Sequence, residues 1–200
     1  MPPRLLVSGA VEGALDQAVL QRIVGETGAT ITFYGGKGKQ HLLTNLERYN
    51  EAARHAPWIV LIDLDTSLDC APTAAAMWLP RPSEGMCIRI AVRQVESWLM
   101  GDKERLARFL HVSADRIPSR PDAVSNAKRS LVGAAARSKL RTIKQGVPPR
   151  QGSGRVVGPA YTTLLQEFVR DHWRPEIAAQ HSESLARARR AIRRLIDAQG

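Results

Sequence analysis

Only two of the 200 residues are cysteine, Cys70 and Cys87, and neither belongs to a C-x-x-C pair or a Cys/His cluster. That scarcity excludes a disulfide scaffold and argues against a zinc site, so both read as free thiols of a reducing compartment. The five histidines, His41, His55, His111, His172 and His181, show no metal-ligand spacing with one another. No run of about eighteen apolar residues occurs, and the apolar stretch after Arg4 meets Glu12 and Asp16 too soon to form a signal core. These absences predict a protein without a membrane span, in the cytoplasm. What remains is a chain 44% hydrophobic, long enough for one good-sized domain or a domain plus a helical appendix with a real core.

Charge is unevenly spread. The net charge is +10 and the isoelectric point near 10.4, yet Arg4 to Asp102 is nearly balanced and the remainder holds most of the lysine and arginine. A basic half beside an acidic site suggests a polyanionic partner.

The first half alternates between two periodicities. Arg4 to Ser8, Ala29 to Tyr34, Trp58 to Leu64 and Met86 to Val92 read as buried strands. Between them, Leu15 to Val24, Leu42 to Ala53 and Thr73 to Leu79 read as helices, stopped by Gly25, Pro57 and Pro80. The order β-α-β-α-β-α-β predicts an α/β fold, a Rossmann-like parallel sheet of about four strands with flanking helices. Beyond Val92 the strand pattern ceases. Helices are expected over Val95 to Leu110, Pro121 to Arg137, Tyr161 to Arg170 and Ser184 to Ala198, a helical C-terminal extension. The division expected is a core over 1–92 and a basic helical extension over 93–200 packed on it. Residues 139–159, rich in Gly, Pro and Ser, are expected to form a mobile basic loop.

Two acidic signatures follow apolar runs: Val11-Glu12-Gly13 after the first strand and Asp63-Leu64-Asp65 after the third. In open α/β sheets ligands bind outside the strand ends, so Glu12, Asp63 and Asp65 can converge although about fifty residues separate them in sequence. Three hard oxygen donors together suit a divalent cation. The plainer alternatives are a carboxylate at a helix start for Glu12 and solvated acids on a strand edge for the aspartates; burying the latter after Ile59 to Ile62 without function would be costly. Glu96 follows the fourth strand by a few residues and either enters the same crevice as a ligand for a second metal or pairs on a helix surface with Arg93 or Lys103. Asp69 reads as a helix cap, and Asp102 as a helix stop followed by a cap. Trp98 reads as a core anchor.

Val11-Glu12-Gly13-Ala14-Leu15-Asp16 and Ile62-Asp63-Leu64-Asp65 together resemble the two signatures of the Toprim domain, found in topoisomerases, bacterial primases and overcoming-lysogenization-defect type nucleases. The resemblance covers roughly residues 4–92, and the run Gln94 to Asp102 is similar to small standalone bacterial Toprim-like proteins. It implies that Glu12 is a metal ligand or general acid/base and that Asp63 and Asp65 are paired Mg²⁺ or Mn²⁺ ligands. The chain has no gate domains, and Tyr34, Tyr49 and Tyr161 lack a strand-passage context, which leaves a metal-dependent nuclease, with room for a separate ATPase partner. Asp63-Leu64-Asp65-Thr66-Ser67 also resembles the nucleophile loop of haloacid-dehalogenase phosphatases, in which Asp63 would be phosphorylated. A non-catalytic module that binds nucleic acid or a partner is the third possibility.

Nucleic-acid contacts are expected from three basic sets. The Gly35 to Lys39 turn is not a P-loop, but Lys37 and Lys39 with exposed amides can hold a backbone phosphate. Lys139, Arg141, Lys144, Arg150 and Arg155 form the second set, and Arg189, Arg190, Arg193 and Arg194 on the last helix the third. That last helix, with Leu185, Ile192, Leu195 and Ile196 as its stripe, is otherwise an ordinary solvated amphipathic helix.

Overall fold

The computed structural model describes residues 5–65 and 70–199. Arg4, Asp69, and Thr66 and Ser67 of the phosphatase-like signature lie outside the described residues. Four six-residue strands, β1 (Leu6–Val11), β2 (Thr30–Gly35), β3 (Trp58–Asp63) and β4 (Met86–Ala91), form one parallel sheet in the order β2-β1-β3-β4. The fold is therefore α/β and Rossmann-like. The first strand runs to Val11 rather than stopping at Ser8, so Glu12 is the first residue beyond it.

Side chains alternate across the sheet as the two-residue period demands. Val7, Val11, Ile59, Leu61, Cys87 and Ala91 face one way and pack with α1 (Ala14–Gly25); Ala10, Trp58, Val60, Ile62 and Ile88 face the other and pack with α2 (Lys39–Thr44) and α3 (Leu46–Ala52). α4 (Ala71–Trp78) lies on that second side as well. Right-handed crossovers require this, because the chain steps one way from β1 to β2 and the other way from β2 to β3 to β4. One face consequently receives two crossovers and the other only α1.

The C-terminal helices fill that gap. They are α5 (Val95–Gly101), α6 (Lys103–Phe109), α7 (Ala127–Ala135), α8 (Arg141–Gly146), α9 (Tyr161–Asp171), α10 (Pro175–Ala178) and α11 (Glu183–Asp197). Trp98, Leu131, Phe168, Trp173 and Ile192 share one apolar cluster with Val7, Val19 and Leu61. On α11, Leu185, Ala188, Ile192 and Ile196 recur every three to four residues and are buried. Each Leu or Ile so buried contributes about 1.5–3 kcal/mol, which makes this helix part of the core rather than a solvated appendage. Trp98 is fully buried, its Nε1 donating to Ser184 Oγ at 2.7 Å.

Several expected helices are divided. The segment 95–110 breaks at Asp102, which leaves helical geometry (φ −91°, ψ 63°) and turns its carboxylate to Arg174, accepting from the backbone N–H at 3.0 Å, Nε at 3.0 Å and Nη2 at 2.7 Å. Asp102 is thus a buried ion-pair partner and makes no side-chain cap bond. The segment 42–53 begins earlier, at Lys39, and breaks at Asn45, whose Nδ2 donates to the His41 carbonyl at 2.8 Å. The segment 121–137 starts as a single 3-10 turn, Pro121–Ala123; α7 begins only where Asn126 Oδ1 accepts the Arg129 N–H at 2.8 Å. Residues 139–159 are not wholly a loop, because α8 forms there and buries Ile143 and Val147. Gly158 permits this closure, since a Cβ there would meet the carbonyls of Gly146 and Pro148.

Candidate active site

β1 has β2 on one side and β3 on the other, so the winding direction reverses between β1 and β3. Outside the carboxyl ends of two such strands the outgoing loops diverge and leave a crevice. Glu12 follows β1 and Asp63 ends β3. They meet: Glu12 Oε1 accepts the Asp63 N–H at 2.9 Å. Asp63 Oδ1 accepts the Val95 N–H at 2.9 Å, at the start of α5. Asp63 is 8% exposed.

Glu96, one residue on, is only 1% exposed, which removes the surface-pair alternative. Its Oε1 accepts from Tyr161 Oη at 2.5 Å and lies 3.5 Å from Lys128 Nζ. Its Oε2 is buried without a hydrogen-bond partner among the described residues. Asp16, also buried, accepts the Gly13 N–H at 2.9 Å and closes the first turn of α1.

The opposite rim is built by the glycine-rich turn. Gly35, Gly36 and Gly38 have φ of 91°, 79° and 87°, values open to glycine at no steric cost, and fold the turn back so that Gly36 and Gly38 donate to the carbonyls of Val11 and Glu12. Lys39 is thereby aimed across the crevice. Its Nζ donates to the Asp63 carbonyl at 2.5 Å and to Asp65 Oδ2 at 2.9 Å, and sits 5.1 Å from the Trp78 ring centroid. Asp65 itself has φ 56°, is held by its N–H on the Arg93 carbonyl at 2.9 Å, and accepts from Gln94 Nε2 at 3.3 Å.

Electrostatically the crevice is crowded with one sign. Burial, then the charges of Asp16, Glu96, Glu12 and Asp65, hold the Asp63 pKa well above the usual carboxylate range. Asp16 is pushed up to about 7 by burial, Glu96 and Glu12. Burial also raises Glu12, against the opposing pull of the Asp63 amide and Lys39. Burial alone would lower Lys128, but Glu96, Asp63 and Asp16 outweigh it and leave the ammonium more firmly protonated. Tyr161 is raised by burial and by Glu96, so its hydroxyl keeps its proton.

The structure thus brings Glu12, Asp63 and Glu96 together and places Asp65 at the rim, its side chain 39% exposed. Asp16 joins them through its i, i+4 spacing from Glu12, a signal present in the sequence. Lys128 and Tyr161 come from α7 and α9, and no local pattern marks them. Lys39 is turned toward the acids, whereas Lys37 is exposed on the turn. Lys139, Arg141, Lys144, Arg150 and Arg155 are exposed. Arg189 pairs with Glu26 of α1 at 3.0 Å and Arg190 lies 3.8 Å from Glu183, while Arg193 and Arg194 are exposed. Arg194 lines a cavity of about 730 Å³ with Pro57 and Gly85, at the amino-terminal ends of β3 and β4. That is the far edge of the sheet, about 20 Å from the acids at 3.3 Å per residue.

The donor set is all carboxylate oxygen, the chemistry of Mg²⁺ or Mn²⁺, and the partnerless Glu96 Oε2 shows a buried acceptor left over by the protein's own groups. Among the described residues no three His, Cys, Asp or Glu side chains stand as a ready-made ligand cage. Mg²⁺ does not require one, since it keeps several waters and takes one or two carboxylates. No protein-family model, no curated protein and no solved structure matches the chain.

Proposed function

We propose that the chain is a Mg²⁺- or Mn²⁺-dependent phosphoryl-transfer enzyme of the Toprim type that hydrolyses phosphodiester bonds in nucleic acid. One observation carries the reading. Glu12, Asp63 and Glu96 each have one carboxylate oxygen tied to the protein, while among the described residues the other oxygen makes no hydrogen bond. Anchoring one oxygen fixes the direction of the other, which is how outer groups orient ligating carboxylates. A fully buried carboxylate oxygen is ordinarily hydrogen-bonded, so the partnerless Glu96 Oε2 is the strongest of the three.

When bound, a divalent ion supplies Lewis-acid polarisation of a phosphoryl oxygen and lowers the pKa of bound water. Glu12, Asp63 and Asp65 would hold it, and Glu96 would serve a second ion. The chain's own contribution is orientation and charge. The Val95 amide holds Asp63, the Asp63 amide holds Glu12, and Tyr161 holds Glu96. Lys128 adds a fixed positive charge beside Glu96, suited to the charge that accumulates on a phosphoryl group under attack.

The test is cleavage of labelled single- and double-stranded DNA and RNA with Mg²⁺, Mn²⁺ or EDTA. Mn²⁺-dependent cleavage lost in Asp63→Asn is expected. Undiminished cleavage in EDTA, or in Asp63→Asn, refutes the proposal.

A further inference from the structure

A second concave site lies at the carboxyl end of α6, where α8 and α9 complete a cleft of about 530 Å³, within the range of small-ligand pockets. Its chemistry is opposite to that of the acidic crevice. Arg105 and Arg108, three residues apart and therefore on one face of α6, line it with His111 and His172. Glu167 is the acid in its lining. Neither arginine makes an ion pair among the described residues, in contrast to Arg170, Arg174, Arg187 and Arg189, each committed to a carboxylate. Two guanidiniums without an ion pair, set against the single carboxylate of Glu167, leave the concave wall net positive.

The lining includes an aromatic side chain. Phe109 lines the cleft, with its ring centroid 5.3 Å from Phe168 and 5.4 Å from His172. The remaining wall comes from Leu140, Thr142, Ile143 and Leu164, and the first three are interleaved in sequence with the exposed cations Lys139, Arg141 and Lys144. An aromatic ring in the wall, two guanidiniums one helical turn apart and exposed cations on the adjoining segment match a base, its phosphate and the phosphates that follow.

We propose that this cleft binds a nucleotide unit of a single strand of nucleic acid, the base on Phe109 and the phosphate on Arg105 and Arg108. The proposal rests on the nucleic-acid reading above and adds where the strand is gripped outside the acidic crevice. It differs from the expectation drawn from charge alone, because Arg105, Arg108 and Phe109 belong to none of the three basic sets.

The experiment is fluorescence anisotropy of a labelled single-stranded oligonucleotide of about twelve nucleotides, within the usual footprint of such sites, titrated in EDTA at several salt concentrations. The double substitution Arg105→Ala/Arg108→Ala should weaken binding about tenfold at low salt. It should also shrink the slope of log affinity against log salt by about 0.7, since the two arginines share one phosphate and each phosphate contact on a single strand contributes about that much. Phe109→Leu, which keeps apolar volume against Phe168, should weaken binding about fivefold or more and leave the slope alone. Arg108→Glu, at an exposed position, repeats the test without touching the core. Wild-type affinity and slope in all these variants overturns the proposal. Displacement of the oligonucleotide by AMP supports the cleft as the site. AMP binding that these variants weaken, with oligonucleotide binding unchanged, overturns the assignment to a strand in favour of a free nucleotide. Because binding is read without a divalent ion, failure of metal-dependent cleavage and failure of this cleft are separate results.

Discussion

Neutralising one acid of the crevice should stabilise the protein, and Asp16→Asn is the cleanest way to do it. Asparagine keeps a side-chain oxygen to accept the Gly13 N–H, so the first turn of α1 retains its 2.9 Å bond and only the charge is lost. In the folded protein the Asp16 pKa rises from 3.8 to about 7 through burial and the charges of Glu96 and Glu12. A folded value above the unfolded one means the native state keeps its proton longer. Stability therefore falls as pH climbs from about 4, and the penalty is complete only above the folded value. Taken alone, that rise corresponds to an upper bound of about 4 kcal/mol at 1.36 kcal/mol per pH unit. Asp63 and Glu12 titrate with Asp16, so the repulsion is shared and roughly half is expected from one substitution, about 2 kcal/mol. For a chain of this length that is about 4–8 °C in Tm. Thermal melts of wild type and Asp16→Asn in EDTA, from pH 4.5 to 8.5, should show curves that converge in acid and separate in alkali, with the variant more stable. Equal Tm at pH 8.5, or the same gain at both ends of the range, refutes the claim that Asp16 is a destabilising buried charge.

Three further outcomes are expected. Tyr161→Phe leaves Glu96 Oε1 with Lys128 alone, and losing a charge-assisted bond at a buried acid should cost about 1.5–3 kcal/mol in a denaturant titration; an unchanged midpoint would show that the hydroxyl does not hold Glu96. Beryllofluoride should form no stable adduct on Asp63, and Glu12→Gln should abolish turnover as fully as Asp63→Asn; an adduct on Asp63 with Glu12→Gln still hydrolysing a phosphomonoester would establish the dehalogenase-type mechanism instead. On α11, Arg193→Ala/Arg194→Ala should flatten the salt dependence of nucleic-acid binding while Arg189→Ala chiefly lowers Tm by releasing Glu26, and a flatter slope from Arg189→Ala alone would reverse that division of labour.

The strands and their order of appearance were readable because β3, apolar from Trp58 to Ile62, and the β-branched run in β2 have no other reading than a sheet. Their spatial order was not, since it depends on how helices distribute over two faces. Placing Glu12 and Asp63 in one crevice followed from position alone, each standing at a strand end. The helix break at Asp102 is not legible, because nothing near Asp102 in sequence announces Arg174, 72 residues away; the breaks at Asn45 and Asn126 rest on local bonds to His41 and Arg129. Composition also misled at 139–159, where Ile143 and Val147, two apolar residues among many polar ones, suffice to pin α8 to the core. Lys128 and Tyr161 were invisible for the same reason as Arg174, because their roles exist only after α7 and α9 have docked.

The two halves of the chain are joined by the winding of the sheet itself. Crossovers that reverse direction once put α2, α3 and α4 on one face and α1 alone on the other, so apolar residues of β3 and β4 on the α1 side need cover from elsewhere. Helices from beyond residue 93 supply it, and in doing so carry Glu96, Lys128 and Tyr161 to the edge where Glu12 and Asp63 already stand. The same helices exclude water from those acids, which is why burial is the largest cause of the raised Asp63 and Asp16 values. Covering the core and charging the crevice are thus one event. A layer that covered the sheet face but stopped short of the strand ends would pack the core equally well and leave those acids solvated and ordinary in pKa.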